Sequence, residues 1–151
     1  MKPKFVAVYI VDISKKDFPL YLLIRRCKTT YLPGIWQIVT GKVEGEENVK
    51  DAAFREIEEE TGISEVQLYN VDVTMFYEQP KDSIAFSANF CGYADSLSPV
   101  NLSKHEHDDF KWCSFEEAYK LLAFPSQKET LSFVHTHFVT QKPDCVNKVK
   151  R

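Results

Sequence analysis

The chain has 151 residues, enough to bury one real core and too few for two ordinary ones, so a single domain over 1–151 is expected. Apolar residues make up 44% and charged residues 27%, close to the average for a globular protein in water. The formal charge of -3 and pI of about 5.8 exclude a chain-wide basic surface, so no DNA binding is expected. The charge of a polyanionic substrate would have to be met locally, by a metal or a few Lys and Arg.

Met1 to Lys4 runs directly into Phe5–Ile13 (FVAVYIVDI), an apolar, β-branched run that reads as a strand. No signal-peptide pattern precedes it, and no apolar run approaches the roughly 18 residues of a membrane span, so a cytoplasmic location is expected. Ser14 to Pro19 is a polar break. Tyr21–Arg26 (YLLIRR) is a second strand, Leu32-Pro33-Gly34 signals a turn, and Ile35–Thr40 (IWQIVT) is one short strand. Gly41–Glu47 reads as a charged loop. Asn48–Thr61 is the strongest helix. Asn48 can cap it, Val49, Ala53 and Ile57 make an apolar stripe, and Gly62 follows where a left-handed cap is common.

Val66–Tyr77 and Ser83–Tyr93 read as two long strands around a Gln79–Asp82 hairpin loop. Ser96–Asp109 is polar and irregular, and Phe110–Cys113 is a short strand. Ser114–Leu122 is a helix opened by a capping box, Ser114-x-x-Glu117. Ser126–Val139 is a last helix, and the basic tail, about 141–151, is expected to be loose. The order β-β-β-α-β-β-β-α-α implies an α/β (α+β) fold with a mixed sheet between helices. Cys27, Cys91, Cys113 and Cys145 lack zinc-ligand spacing, and nothing suggests a disulfide framework; they read as free thiols.

Within Gly41–Ile63 (GKVEGEENVKDAAFREIEEETGI), Glu56, Glu59 and Glu60 stand at i, i+3 and i+4 and so share one helix face. Three crowded carboxylates repel one another and raise each other's pKa unless a cation neutralises them. Hard oxygen donors suit Mg²⁺ or Mn²⁺, and Mg²⁺ commonly completes its shell with water and substrate phosphate.

The same stretch resembles the box of the Nudix (MutT-like) hydrolases, G-x5-E-x7-R-E-U-x-E-E-x-G-U with U a bulky aliphatic. All nine fixed positions match over 23 residues. The resemblance implies the Nudix fold and a metal-dependent hydrolysis of a phosphoanhydride bond. It implies that Glu56, Glu59 and Glu60 hold the metal, and that Gly41, Glu47 and Gly62 shape the box. Arg55 would pair with Glu47 and orient the glutamates. One detail departs from the common form: Glu46 precedes Glu47 and the glycine is Gly45, so the loop is expected to bend one residue early.

Glu56 is one candidate general base. The second is Glu106, because Glu106-His107-Asp108-Asp109-Phe110-Lys111-Trp112 resembles the E-H-x-x-[YF]-[KR]-W segment of some Nudix branches. There His107 reads as a loop-positioning residue and Trp112 as core. Arg25, Arg26, Trp36, Gln37 and Lys42 are candidate substrate contacts. Trp36-Gln37-Ile38-Val39-Thr40-Gly41 and the pair Ser126-Gln127 bring the chain closest to the dihydroneopterin triphosphate / dATP pyrophosphohydrolase branch, with the diadenosine tetraphosphate hydrolases as rival. A small nucleotide or pterin triphosphate is therefore the implied substrate, for a monomer or homodimer.

Overall fold

The computed structural model describes all residues, 1–151. In chain order the strands are β1 (Phe5–Asp12), β2 (Leu20–Arg26), β3 (Trp36–Gln37), β4 (Val39–Lys42), β5 (Gln67–Glu78), β6 (Ser83–Tyr93), β7 (His107–Cys113) and β8 (Lys148–Val149). The helices are α1 (Val49–Thr61), α2 (Phe115–Leu121) and α3 (Pro125–Val134), the last continued by a π-helical turn, His135–Val139. The strands make one mixed sheet in the order β3-β2-β1-β6-β5-β8; β4 pairs with β1 and β7 with β2 off that path.

β1 lies at the centre and runs parallel to β6 from Phe5↔Ser87 to Val11↔Tyr93. Its side chains alternate between two cores. Val6, Val8 and Ile10 join Ala52, Ala53 and Ile57 of α1 on one face, while Ala7, Tyr9 and Val11 join Ala118, Leu131 and Val134 of α2 and α3 on the other. A strand buried on both faces reads as a continuous apolar run, which is why β1 shows no polar alternation. The result is the expected mixed sheet sandwiched between helices.

The expected single strand at 35–40 is two strands. β3 pairs with β2 (Ile24↔Gln37, Arg25↔Trp36), and after Ile38 the chain changes partner, so β4 pairs with β1 (Val8↔Val39 to Phe5↔Lys42). β1 and β2 pair only at Val11↔Tyr21 and Asp12↔Leu20. They therefore diverge, and β3–β4 fill the wedge between them. β7 is longer than expected because it follows β2 as far as Arg26↔His107, with a bulge at Arg25/Arg26.

Two further expectations are corrected. The Asn48 side chain does not cap α1; its Nδ2 donates instead to Asp51 Oδ2 at 3.2 Å. The tail is docked rather than loose. Asp144 accepts from the Val146 N–H, β8 pairs with β5 (Leu68↔Val149, Tyr69↔Lys148), and Val149 packs on the α1 core. The Arg151 guanidinium stands 4.7 Å from the Phe54 ring centroid, and Lys50 Nζ donates to the Lys150 carbonyl. An open sheet edge and an apolar helix end give the tail something to bind. All four cysteines are free, and Cys27, Cys91 and Cys113 are buried. No helix is long and apolar enough to cross a membrane.

Candidate active site

The wedge of β3–β4 brings the start of the box against the buried side of α1. The loop before the helix bends at Gly45, whose φ of 47° lies in the left-handed region, one residue early as the sequence suggests. Gly62 ends the helix with φ 73°, and its N–H donates to the Glu58 carbonyl at 2.8 Å.

Arg55 ties loop to helix. Its Nη2 and Nε donate to the two oxygens of Glu47 at 2.8 and 3.2 Å, and Nη2 also reaches the Lys42 carbonyl at 2.8 Å. Its Nη1 donates to Glu56 Oε1 at 2.8 Å and Glu59 Oε2 at 3.1 Å. This is the forked, planar recognition that a lysine cannot reproduce. The Arg55 guanidinium, helped by the Glu44 N–H, holds the Glu47 carboxyl down at about 2.

The three box glutamates do not share one environment. Glu56 and Glu60 turn inward and are 8% and 4% exposed. The Glu59 side chain is 59% exposed and leans on Arg55. At 100° per residue Glu59 and Glu60 diverge around the helix, so the face that meets the sheet takes Glu56 and Glu60 and leaves Glu59 at its rim.

Burial raises the Glu56 carboxyl above its ordinary value; Arg55 opposes the shift, while the charges of Glu59 and Glu106 add to it. Glu60 is raised well above its ordinary value, by burial first and then by the charges of Glu56 and Glu106, with the Thr40 N–H and Arg26 opposing. Its hydrogen-bond partner is the Thr40 N–H, at 3.3 Å. It forms no salt bridge.

Glu106 and His107 complete the cluster from the far end of the chain. Donor atoms of Glu60, Glu106 and His107 all lie within 4.8 Å of one another. Their loop is fixed on both sides: the Cys27 N–H donates to the Glu106 carbonyl at 2.9 Å, and the Glu106 and His107 N–H groups both donate to the Ser103 carbonyl. Glu106 is exposed, whereas His107 is 1% exposed with Nε2 2.9 Å from Gln37 Nε2 and Nδ1 without a partner. Burial, then Arg26, push the His107 imidazole down to about 4, so it is neutral near pH 7.

These residues fit a hard divalent cation. A buried carboxylate without a counterion is costly unless something positive meets it. Gly41 leaves room for the Glu56 carboxyl, since a Cβ at 41 would fall 1.9 Å from Glu56 Cδ. Glu56, Glu60 and Glu106 would supply its oxygen donors. Thr40, which contributes a backbone N–H to Glu60, carried no site signal of its own in sequence; His107 stood out there only as a loop-positioning residue, and its place beside Glu60 is set by the pairing of β7 with β2.

The other candidates separate by sheet face. Gln37 bonds His107 on the α1 side, and Arg26, paired with His107 across β2–β7, shares that side and donates through Nε to the Tyr31 carbonyl. Arg25 and Trp36 are cross-strand partners on the α3 side. The Arg25 guanidinium stands 5.6 Å from the Trp36 ring centroid and donates to Asp108, and Trp36 packs partly on the α3 core. Lys42 is exposed beside Phe5, and only its carbonyl enters the Arg55 network. Trp112 packs against the α1 core. A groove of about 530 Å³ between the tail and the end of α1, lined by Phe54, Leu68 and Val149 among others, includes none of the inward-facing acids.

An octanoyltransferase of Myxococcus xanthus is 33% identical over 101 residues, which are 65% of this chain and 28% of that much longer protein. The asymmetrical bis(5'-nucleosyl)-tetraphosphatase of Caenorhabditis elegans is 35% identical over 100 residues, 62% of this chain and 69% of that one. The structure of the E. coli dihydroneopterin triphosphate pyrophosphohydrolase has the same fold, with a TM-score of 0.73 at 23% identity over 92% of this chain and 98% of that one. The family model for the NUDIX domain matches residues 3–134, with the box, β1 to β7 and the Glu106–His107 loop included, and the chain belongs to the NUDIX family.

Proposed function

We propose that the chain is a Mg²⁺- or Mn²⁺-dependent pyrophosphohydrolase that splits a phosphoanhydride bond in a nucleoside triphosphate-like substrate. The substrate class is dATP, another dNTP or dihydroneopterin triphosphate, and the products are the monophosphate and pyrophosphate. The observation that carries this reading is Glu60, a buried carboxylate without a counterion set beside Glu56, Glu106 and His107.

In this reading Glu60, Glu56 and Glu106 would hold the cation, with Glu59 at the rim. A divalent ion there would supply charge to neutralise the diphosphate and would lower the pKa of a water bound to it. Arg55 fixes the rotamer of Glu56 and keeps Glu47 ionised. The proton of the attacking water goes to Glu106, exposed at the mouth, through the carboxylate oxygen that the ion would leave free, with Glu56 as the alternative base. Arg26, on the same side of the sheet, meets the charge of the leaving phosphates. Gln37 orients His107, while Arg25, Trp36 and Lys42 are left to contact the far end of a substrate.

A second reading, hydrolysis of a diadenosine polyphosphate, is favoured by the 35% identity to the tetraphosphatase. A panel of dNTPs, dihydroneopterin triphosphate, diadenosine tetraphosphate and ADP-ribose, incubated with Mg²⁺, tests both. Release of pyrophosphate supports the first reading and release of ATP from diadenosine tetraphosphate the second. Turnover of the best substrate unchanged by Glu60→Gln sinks both.

A further inference from the structure

We propose that His107 is itself a metal ligand, so that the site is a mixed nitrogen–oxygen centre of Glu60, Glu106 and His107 that holds Mn²⁺ or Co²⁺ in preference to Mg²⁺. The inference rests on the hydrolase reading above and goes beyond it in naming a nitrogen donor.

Three observations carry it. A His107 ring nitrogen and carboxylate oxygens of Glu60 and Glu106 lie within 4.8 Å of one another. Donors about 2.1 Å from one octahedral ion stand about 3 Å apart when adjacent and about 4.2 Å apart when opposite, so small side-chain adjustments close this set around an ion. The imidazole is 1% exposed, yet Nδ1 has no hydrogen-bond partner. A buried ring nitrogen left unpaired needs an explanation, and an ion held with Nδ1 turned to the two carboxylates would supply one.

Finally, the second ring nitrogen is already engaged. Nε2 lies 2.9 Å from the terminal amide of Gln37, itself buried. The amide oxygen and nitrogen exchange places by a simple flip. With the oxygen turned to Nε2, the ring donates Nε2–H to it and keeps the Nδ1 lone pair free. Metal-bound histidines are commonly held this way, the remote N–H given to a carbonyl. Gln37 is then a positioning residue.

Nitrogen donors favour later first-row ions over Mg²⁺, which takes oxygen almost exclusively. The loop suits the task. It is anchored through the Cys27 N–H and the Ser103 carbonyl, so Glu106 and His107 are presented together by consecutive residues.

The test uses the intact chain, stripped of metal and reloaded. Spin-echo EPR of the Mn²⁺-loaded protein should show ¹⁴N modulation that disappears in His107→Ala. Co²⁺ affinity should fall at least about tenfold in that variant, while Mg²⁺ affinity changes less than about threefold. His107→Gln, closer in size, repeats the measurement if the alanine variant does not fold. Absence of nitrogen modulation in the unaltered protein, or equal Co²⁺ affinity in a folded variant, overturns the proposal. Glu60→Gln separates the two levels. Loss of Mn²⁺ and Co²⁺ binding there supports the underlying site, whereas retention of both overturns the site and the nitrogen ligand with it.

Discussion

Gly41 lies directly beneath the Glu56 carboxyl. A Cβ at residue 41 would stand 1.9 Å from Glu56 Cδ and 2.2 Å from its Oε1, so no side chain fits there while Glu56 keeps its place. Gly41→Ala should therefore displace Glu56. An ångström of misplacement in a catalytic group typically lowers turnover by about 100-fold, and that loss in kcat/KM is expected here. Overpacking should cost about 1–3 kcal/mol, read as a lower Tm. Activity within twofold of the unaltered chain would show that Glu56 has no fixed role.

Arg55 contacts Glu47, Glu56, Glu59 and the Lys42 carbonyl at once. Arg55→Lys keeps the charge and loses the fork. The expected outcome is a fall in kcat of about tenfold or more with little change in KM, because the variant disturbs orientation rather than binding. Steady-state kinetics on the best substrate check it. A change confined to KM would instead make Arg55 a substrate contact.

Metal-free stability should depend on pH in a way that isolates Glu60. Its carboxyl is raised above the ordinary 4.5 in the folded protein. The folded state therefore holds the proton more tightly than the unfolded chain, and this contribution to stability is lost as pH rises from about 4.5 through the raised value. His107 acts oppositely. Its folded pKa of about 4 lies below the ordinary 6.5, so stability is lost as pH falls through that window. Glu60→Gln removes the first contribution alone. Urea melts in a chelator should show the variant gaining stability over the unaltered chain as pH rises from about 5 to about 8. A difference that stays constant across that range would contradict the burial argument.

Deleting residues 142–151 tests the docked tail. It removes β8, the Val149 contact with the core and the Arg151–Phe54 contact. A loss of about 1–2 kcal/mol is expected from apolar area of that size, or a fall in Tm of about 3–6 °C. The acids of the site lie elsewhere, so kcat should change less than about twofold. An unchanged Tm would mean that the tail adds nothing to the fold.

The long strands and α1 could be read from the chain because their signals are local. β1 is a continuous apolar run, α1 carries a stripe at helical spacing, and Gly62 stands where a left-handed cap is needed. The Arg55–Glu47 pair is implied by the resemblance of the stretch to the Nudix box, and the two side chains do meet. What escaped depends on partners distant in sequence. The change of partner at Ile38 is invisible in IWQIVT, and β8 is two residues in a polar run that become a strand only because β5 has a free edge. Glu56, Glu59 and Glu60 look alike in a linear pattern, and only packing against the sheet makes two of them buried and one exposed. The closeness of His107 to Glu60 required the β2–β7 register.

The parallel pairing of β1 with β6 has a consequence for how the protein comes into being. Residues roughly eighty positions apart must meet before the centre of the sheet exists, as Phe5 opposite Ser87 shows. Such long-range topology places folding in the slower, millisecond-to-second regime of small domains. A synthetic peptide spanning Gly41 to Ile63 would carry every residue of the recognisable box and still lack Glu106, His107 and the floor that buries Glu60. The capacity to bind an ion therefore arises late, with global closure of the chain, and should be gained and lost together with the tertiary structure.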